Sequence, residues 1–392
     1  MKLRALSSVL DQAASSATNI LVVVLAARLS PASDFAAFSM VYVAFSVLLG
    51  LNMAYVGQTV VLERAAERLG TVCRSALAFT AAAAVAAGAA LAVVGLLLGG
   101  PVGTAFLALG PVLPLVLLQD GLRYCFSALH RPERALAADA VRLACAVAAL
   151  AVQPEGASAG RLVLVWGLSA LPALALGLAL VWPSVRGART ELGPYLRRGH
   201  LGQRFVVEFA VGNGSSQLAV LGLGLFATPL AVGALRGATT LFGPLNVLFN
   251  SANAFAPPVL GRLRGGRAVA RATLGLGLAL AALAGGTAAA LYVLPERWGR
   301  ELLGDTWPAA AELLPATGAQ YAVMALGTCG LLTLRVLAPK ATLSVQVVFS
   351  LLSVAFLLAG YAVGGVTGAA WGLALGSALK AAAAWLRVSR LP

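Results

Sequence analysis

Long uncharged runs constrain the fold of this chain more than any other feature of its sequence. Residues 75–119 and residues 341–379 contain no Asp, Glu, Lys or Arg. One transmembrane helix needs about 20 mainly apolar residues, so each run is long enough for two helices joined by a turn. Only 11% of the 392 residues are charged, whereas about 25% are charged in an average soluble domain. The sequence therefore predicts an all-α, polytopic membrane protein.

Turn signals between the apolar runs predict 12 transmembrane helices in two six-helix bundles. The longest polar stretch, residues 183–203, separates the two sets of six. We therefore expect a first bundle at 1–183, a cytoplasmic linker at 184–204 and a second bundle at 205–392. The predicted helices cover residues 8–28, 35–61, 75–98, 103–129, 134–152, 162–182, 205–227, 230–259, 270–294, 309–337, 341–361 and 365–387.

The basic residues of the chain test this topology. When the N-terminus is placed inside, the predicted inner segments hold 19 Lys and Arg residues and the predicted outer segments hold 4. This asymmetry is what the positive-inside rule requires, and it predicts that both termini are cytoplasmic. The formal net charge of +14 is then explained by topology and by attraction to anionic lipids. A nucleic-acid partner is not expected.

The sequence offers no pattern typical of a cofactor or metal site. The four cysteines and two histidines show no metal-ligand spacing, and Gly-Lys-Ser/Thr, the end of a phosphate-binding loop, does not occur. We expect no metal, no cofactor and no enzymatic activity.

Polar side chains within predicted membrane helices mark a candidate substrate cavity, because such residues cost free energy unless they face water or a partner. A row on the eighth predicted helix runs from Arg236 to Asn253, at the spacing of one helix face. We expect the cavity to lie between the two bundles, although hydrogen bonding between helices is the alternative. The candidate cavity residues are Asp11, Ser15, Asn19, Glu208, Arg236, Asn246, Asn250 and Asn253.

A second polar group lies on the fourth and fifth predicted helices: Asp120, Arg123, Asp139 and Arg142. A turn near residue 131 joins these helices as a hairpin, so equal distances from the turn mean equal depths. This counting predicts that Arg123 pairs with Asp139 and that Asp120 pairs with Arg142. The cluster is either a proton or cation coupling site or a structural lock for the hairpin.

Three segments resemble one family. They are residues 6–35, which contain Asp11-Gln12 and Pro31; residues 118–139, which contain Gln119-Asp120, Arg123-Tyr124 and His130-Arg131-Pro132; and residues 303–315, which contain Gly304-Asp305 and Trp307. In order and spacing they resemble the polysaccharide-biosynthesis (O-antigen-type) flippases of the multidrug/oligosaccharidyl-lipid/polysaccharide exporter (MOP) superfamily. The resemblance implies a MATE-like, V-shaped transporter that alternates between inward- and outward-facing states.

The resemblance also implies a function, which is the export or flipping of a lipid-linked oligosaccharide or polysaccharide precursor across a bacterial plasma membrane. The implied partners are the lipid-linked glycan, membrane lipids and glycan-assembly proteins, and we expect a monomer. Two alternatives stay open. One is a cation-coupled drug or metabolite antiporter of the same superfamily. The other is a membrane-embedded glycosyltransferase or polymerase of glycan lipids, which would need larger outer loops than those predicted here.

Overall fold

The fold is known from a computed structural model, which describes residues 2–63, 65–210, 220, 222–223, 229–246, 248–249, 252, 260 and 265–391. Of residues 2–9, 12–13, 208, 229, 339–341 and 343 it describes the backbone alone. Within these ranges every regular element is a helix. The chain divides into two compact units, Met1–Ala210 and Val211–Pro392. The predicted bundle and linker boundaries near residues 183 and 204 stay predictions.

Helices of the first unit begin and end at the turn residues that the sequence supplies. Pro31 precedes the helix Ala32–Asn52, and Pro132 opens the helix Pro132–Ala151, where a missing N–H costs nothing. Gly99 and Gly100 have φ of 62° and 59°, a conformation that glycine adopts readily, and they reverse the chain between the helices Leu69–Leu98 and Gly100–Ala128. The helices are α1 Lys2–Leu29, α2 Ala32–Asn52, α3 Leu69–Leu98, α4 Gly100–Ala128, α5 Pro132–Ala151, α6 Ala159–Leu168, α7 Leu171–Val185, α8 Gly193–Leu196 and α9 Leu201–Phe209.

The helix that begins as α2 contains a π-helical turn at Met53–Gly57 and resumes at Gln58–Val61. The turn widens the helix where it meets the polar linker between α7 and α9. Tyr55, in the turn, donates its hydroxyl proton to the backbone oxygen of Tyr195 in α8. Tyr195 is buried and stacks on Phe79, with 4.8 Å between ring centroids. The linker is therefore packed into the first unit.

The second unit is a set of long helices around buried aliphatic and aromatic side chains. A 3-10 turn, Gly304–Thr306, connects its short amphipathic helix to the long helix that follows. The last helix bends at Gly364 and Gly365, where the backbone leaves helical values, so it forms two antiparallel arms. The described helices are α10 Pro229–Leu241, α11 Gly266–Tyr292, α12 Glu296–Leu303, α13 Trp307–Leu337 and α14 Pro339–Ser389.

The two arms of α14 approach closely because glycines face each other. A Cβ atom at Gly368 would fall on the carbonyl oxygen of Gly360. Small residues allow such backbone contact between membrane helices. The contact fixes the register of the arms, which places Ser350 opposite Lys380.

Seven helices of the described residues are long and apolar enough to cross a membrane. This confirms an all-α polytopic membrane protein, while the number of 12 spans stays a prediction. The seventh and eighth predicted helices lie partly outside the described residues. The seven are Ala32–Val61, Ala66–Leu98, Gly100–Ala128, Ala159–Val185, Gly266–Tyr292, Glu296–Leu337 and Ser344–Ser389.

Candidate functional site

One guanidinium in the first unit is surrounded by three carboxylates, each from a different helix. Arg123 of α4 places Nε 3.0 Å from Oδ2 of Asp139 in α5 and Nη2 3.0 Å from Oδ2 of Asp11 in α1. Its Nη1 lies 3.4 Å from Oδ1 of Asp120, one turn earlier on α4. The contact predicted between Arg123 and Asp139 is present. The structure adds Asp11 to this group, which the sequence had assigned to the cavity between bundles.

Neutral polar side chains complete the hydrogen bonding around Arg123. Ser15, one turn after Asp11 on α1, accepts a hydrogen bond from Arg123 Nη1 at 3.2 Å. Gln119 donates from Nε2 to Oδ1 of Asp139 at 2.8 Å. Because α1, α4 and α5 all contribute, the cluster ties together three helices of the first unit. Gln119 is buried and bonded to the cluster. It was named only within the family motif Gln119-Asp120 and not among the candidate site residues; its position beside Asp120 was the available signal.

The predicted pairing of Asp120 with Arg142 is wrong. Arg142 instead donates from Nη1 to the backbone oxygen of Trp166 at 3.0 Å and to Ser169 Oγ at 2.6 Å. These acceptors lie where α6 ends, so Arg142 satisfies carbonyl and hydroxyl groups at the break before α7. Counting residues from the turn predicted the contact of Arg123 with Asp139, but it did not predict the direction of the Arg142 side chain. Asp120 contacts Arg123 instead.

Most of these side chains line a small cleft in the first unit, with a cavity volume of about 40 Å³. Aromatic side chains form part of its wall: Trp166 lies edge-on to Phe45, with centroids 4.8 Å apart. Three aspartates and two arginines give the cluster a formal charge of −1. The cleft lining includes Ser15, Thr18, Asn19, Phe45, Leu49, Val116, Gln119, Asp120, Arg123, Asp139, Arg142 and Trp166.

The candidate cavity residues are not all in one place. Asp11 and Ser15 belong to the Arg123 cluster, and Asn19, which is exposed, lines the same cleft. Oδ1 of Asn19 accepts a hydrogen bond from the Tyr42 hydroxyl at 2.8 Å. The Glu208 side chain and residues Asn250 and Asn253 lie outside what the structure describes. Whether these residues face a common space between the units stays a prediction.

The polar row of α10 continues into a hydrogen-bonded group within the second unit. Asn246 donates from Nδ2 to the hydroxyl of Tyr321 in α13 at 3.0 Å, and that hydroxyl donates to the Thr239 backbone oxygen at 3.4 Å. Arg236 is half-buried one turn before Thr239 and Thr240. Tyr321 stacks on Phe242, with centroids 4.9 Å apart. Part of the row is therefore anchored to α13.

The overall fold is shared with solved transporters, whereas no protein-family model and no curated protein matches the sequence. The inward closed conformation of the lipid II flippase MurJ gives a TM-score of 0.75 at 10% identity, over 100% of this chain and 88% of that chain. An inward-facing multidrug resistance MATE family transporter of the MOP superfamily gives 0.67 at 12% identity, over 96% and 94%. An outward-facing MATE family transporter gives 0.59 at 13% identity, over 99% and 95%.

At these identities the comparisons establish the fold. The chain is a multi-pass membrane protein with the helical fold of the MATE transporters and MurJ. The proteins that it resembles are transporters and a flippase, rather than enzymes.

Proposed function

We propose that this protein moves a lipid-linked oligosaccharide or polysaccharide precursor across a membrane by alternating access. The observation that carries the proposal is the match of the whole chain to a lipid II flippase, together with matches to both inward- and outward-facing transporters of one superfamily. A fold solved in both states supports alternation as the mechanism. The protein itself performs no covalent chemistry in this scheme.

The proposal assigns separate roles to the polar groups of the two units. Arg236 is the anion contact for the phosphate groups of the carrier lipid, because a guanidinium forms paired hydrogen bonds with phosphate oxygens. The cleft of the first unit offers Asn19, Ser15 and an aromatic wall, which suit the hydroxyls and apolar faces of sugars. The two aspartates and two arginines that line that cleft give it no net positive charge, so it is a poor site for pyrophosphate.

The distribution of basic residues and the family resemblance support a proposed membrane and orientation for the protein. We place the protein in a bacterial plasma membrane, which the family resemblance implies, with both termini in the cytoplasm, which the asymmetry of Lys and Arg favours. It works as a monomer that receives its substrate from glycan-assembly proteins.

Reconstitution tests the proposal directly. Purified protein is placed in vesicles that contain a fluorescent glycan linked through pyrophosphate to undecaprenol, and a membrane-impermeant glycosidase reports the glycan that reaches the outer leaflet. We expect the accessible fraction to rise from about one half toward completeness only in vesicles that contain the protein. Equal rates in protein-free vesicles would contradict the proposal.

A cation-coupled antiporter of drugs or metabolites is the second candidate, and the Arg123 cluster favours it. Three aspartates around one arginine leave an excess of negative charge, which an organic cation or a proton would neutralise. Aromatic side chains in the cleft, Phe45 and Trp166, are suited to hold cations. Efflux of a fluorescent organic cation driven by a pH gradient, without glycan-lipid flipping in the same vesicles, would select this candidate.

A further inference from the structure

The second arm of α14 carries a lysine deep within its apolar length. Lys380 lies nine residues before the end of the helix at Ser389, which is about 14 Å along the axis. Its Nζ donates to Ser350 Oγ on the first arm at 3.5 Å. The side chain therefore reaches across the hairpin. A lysine that only snorkelled would extend along the helix toward the interface.

The charged groups around Lys380 are cations. Arg335, in the last turn of α13, acts electrostatically on Lys380. Arg387, two turns beyond Lys380, donates from Nη1 to Ser344 Oγ at 3.1 Å. The helices that carry them are held together by the Trp385 indole, which donates to the Leu326 backbone oxygen at 3.0 Å.

Acidic side chains are absent from this end of the second unit. The sequence contains no Asp or Glu from residue 313 to residue 392. The nearest acid before Arg335 on α13 is Glu312, 23 residues earlier, which is about 35 Å along the helix. Within the described residues of the second unit, the ion pairs are those of α12, Arg297 with Glu301 and Arg300 with Glu296.

Cations in an apolar setting without a counter-charge are costly, and they are normally paired or exposed to water. Two serine hydroxyls satisfy part of the hydrogen bonding of Lys380 and Arg387, but they carry no charge. An anion from outside the chain would supply both the charge and the acceptor oxygens. Basic pockets between transmembrane helices on the cytoplasmic side bind the head groups of anionic lipids.

We propose that a phosphate group binds where the end of α13 meets the two arms of α14, a region called the Lys380 site below, with Lys380 as the contact farthest from the helix ends and Arg335 and Arg387 nearer to them. The site is distinct from Arg236 and does not depend on the transported substrate. The expected source of the phosphate is the head group of an anionic phospholipid, because Lys380, Arg335 and Arg387 lie on helices that are apolar enough to cross a membrane. A soluble phosphate ester is the other source of the same chemistry.

Native mass spectrometry of the purified full-length chain tests the site. The detergent-solubilised protein is titrated with phosphatidylglycerol and, separately, with phosphatidylcholine. We expect phosphatidylglycerol to bind about tenfold more tightly, as one charge-assisted hydrogen bond allows. Lys380→Met should remove this preference, whereas Lys380→Arg should keep most of it. Arg189→Gln is the matched control, because it removes one exposed cation from the linker of the first unit.

Each outcome of these titrations supports or overturns the proposed phosphate site. Equal losses in Lys380→Met and Arg189→Gln would overturn the proposal, because the preference would then reflect net charge alone. If Lys380→Met does not fold, Arg335→Gln replaces it: this side chain is exposed, and an unchanged lipid preference in that variant would also overturn the site. Displacement of phosphatidylglycerol by millimolar glycerol 3-phosphate would support the phosphate site and assign it to the soluble source; resistance to displacement would assign it to the lipid.

Discussion

Arg123 in the first unit and Lys380 in the second are both cationic side chains within apolar helices, but their surroundings differ in sign. Three aspartates from α1, α4 and α5 surround Arg123 at 3.0–3.4 Å. Lys380 has a serine and an arginine as neighbours. The Arg123 cluster therefore contains more negative than positive charge, whereas the charged side chains described near Lys380 are cations.

The difference in charge indicates which charge a ligand of each region should carry. The Arg123 cluster already contains all the counter-charge for its arginine, so any further neutralisation requires a cation or a proton. The proposed Lys380 site would take an anion. If both regions are occupied, the units bind ligands of opposite charge, which a single substrate with one charged group could not supply.

Removing the guanidinium of Arg123 should have the largest effect. Arg123→Met leaves Asp11, Asp120 and Asp139 close together without a cation, and breaking a buried ion pair in this way costs about 3–5 kcal/mol. We expect a large fall in the thermal unfolding temperature of the detergent-solubilised protein, and poor yield. Arg161→Gln, which removes an exposed arginine from the same unit, is the control.

A charge exchange sharpens this test. The double variant Arg123→Asp, Asp139→Arg should recover part of the expression that either single variant loses, because the exchanged pair can still form an ion pair. No recovery in the double variant, together with normal stability of Arg123→Met, would show that the cluster does not hold α4 and α5 together.

Arg236→Gln should have the next largest effect, and it acts on transport rather than on stability. Loss of charge-assisted hydrogen bonds to the carrier phosphate should slow flipping by about tenfold or more. Arg236→Lys should retain part of the activity, because it keeps the charge but loses the paired hydrogen bonds. Flipping that is unchanged in Arg236→Gln at equal protein level would remove Arg236 from substrate binding.

Neutralising one aspartate of the Arg123 cluster should lower the stability of the protein less than removing Arg123 does. Asp120→Asn should change stability by about 1 kcal/mol or less, because its contact with Arg123 is long and two carboxylates remain. Asp139→Asn should lower the stability more than Asp120→Asn does, since Asp139 binds both Arg123 and Gln119. Paired unfolding curves of the two variants test the order. The reverse order would show that Asp120 is the main partner of Arg123.

The sequence predicts those parts of the fold and the site that depend on composition and on distance along a helix. Uncharged runs predict most helices to within a few residues, and counting from the turn near residue 131 predicts that Arg123 meets Asp139. Both follow from the fixed rise of a helix. Whether Glu208, Asn250 and Asn253 join the predicted cavity stays a prediction.

Other parts of the site depend on which side of a helix faces which neighbour. Asp11 joins Arg123 because α1 packs on α5, a contact between segments more than 100 residues apart that no local spacing encodes. Arg142 instead donates hydrogen bonds to groups at the end of α6. Tyr195 was missed because a single aromatic residue in a polar linker gives no periodic signal, although Gly-Pro before it marks a turn.

The smallest expected effect concerns the linker that the structure packs into the first unit. The His200 imidazole contacts the rings of Tyr55 and Tyr195, with centroids 4.9 and 5.0 Å away. Its Nδ1 accepts a hydrogen bond from the Gly202 backbone N–H at 3.1 Å, which caps α9. Burial lowers the pKa of His200 below its ordinary value of 6.5. The folded protein therefore favours the neutral imidazole, and its contribution to stability is complete above that ordinary value.

This stability should be lost as the pH falls from about 6.5 through the lowered pKa of His200, because the unfolded chain binds the proton more readily. His200→Asn keeps a capping acceptor for α9 but does not titrate. We expect the unfolding temperature of the wild type, relative to this variant, to fall by on the order of 1 °C between pH 7.5 and pH 5. Hydrogen exchange of residues 193–209 should increase over the same range in the wild type alone. Identical pH profiles in the two proteins would mean that the hydrogen bond to His200 Nδ1 does not stabilise the linker, because Nδ1 accepts that bond only while it is unprotonated.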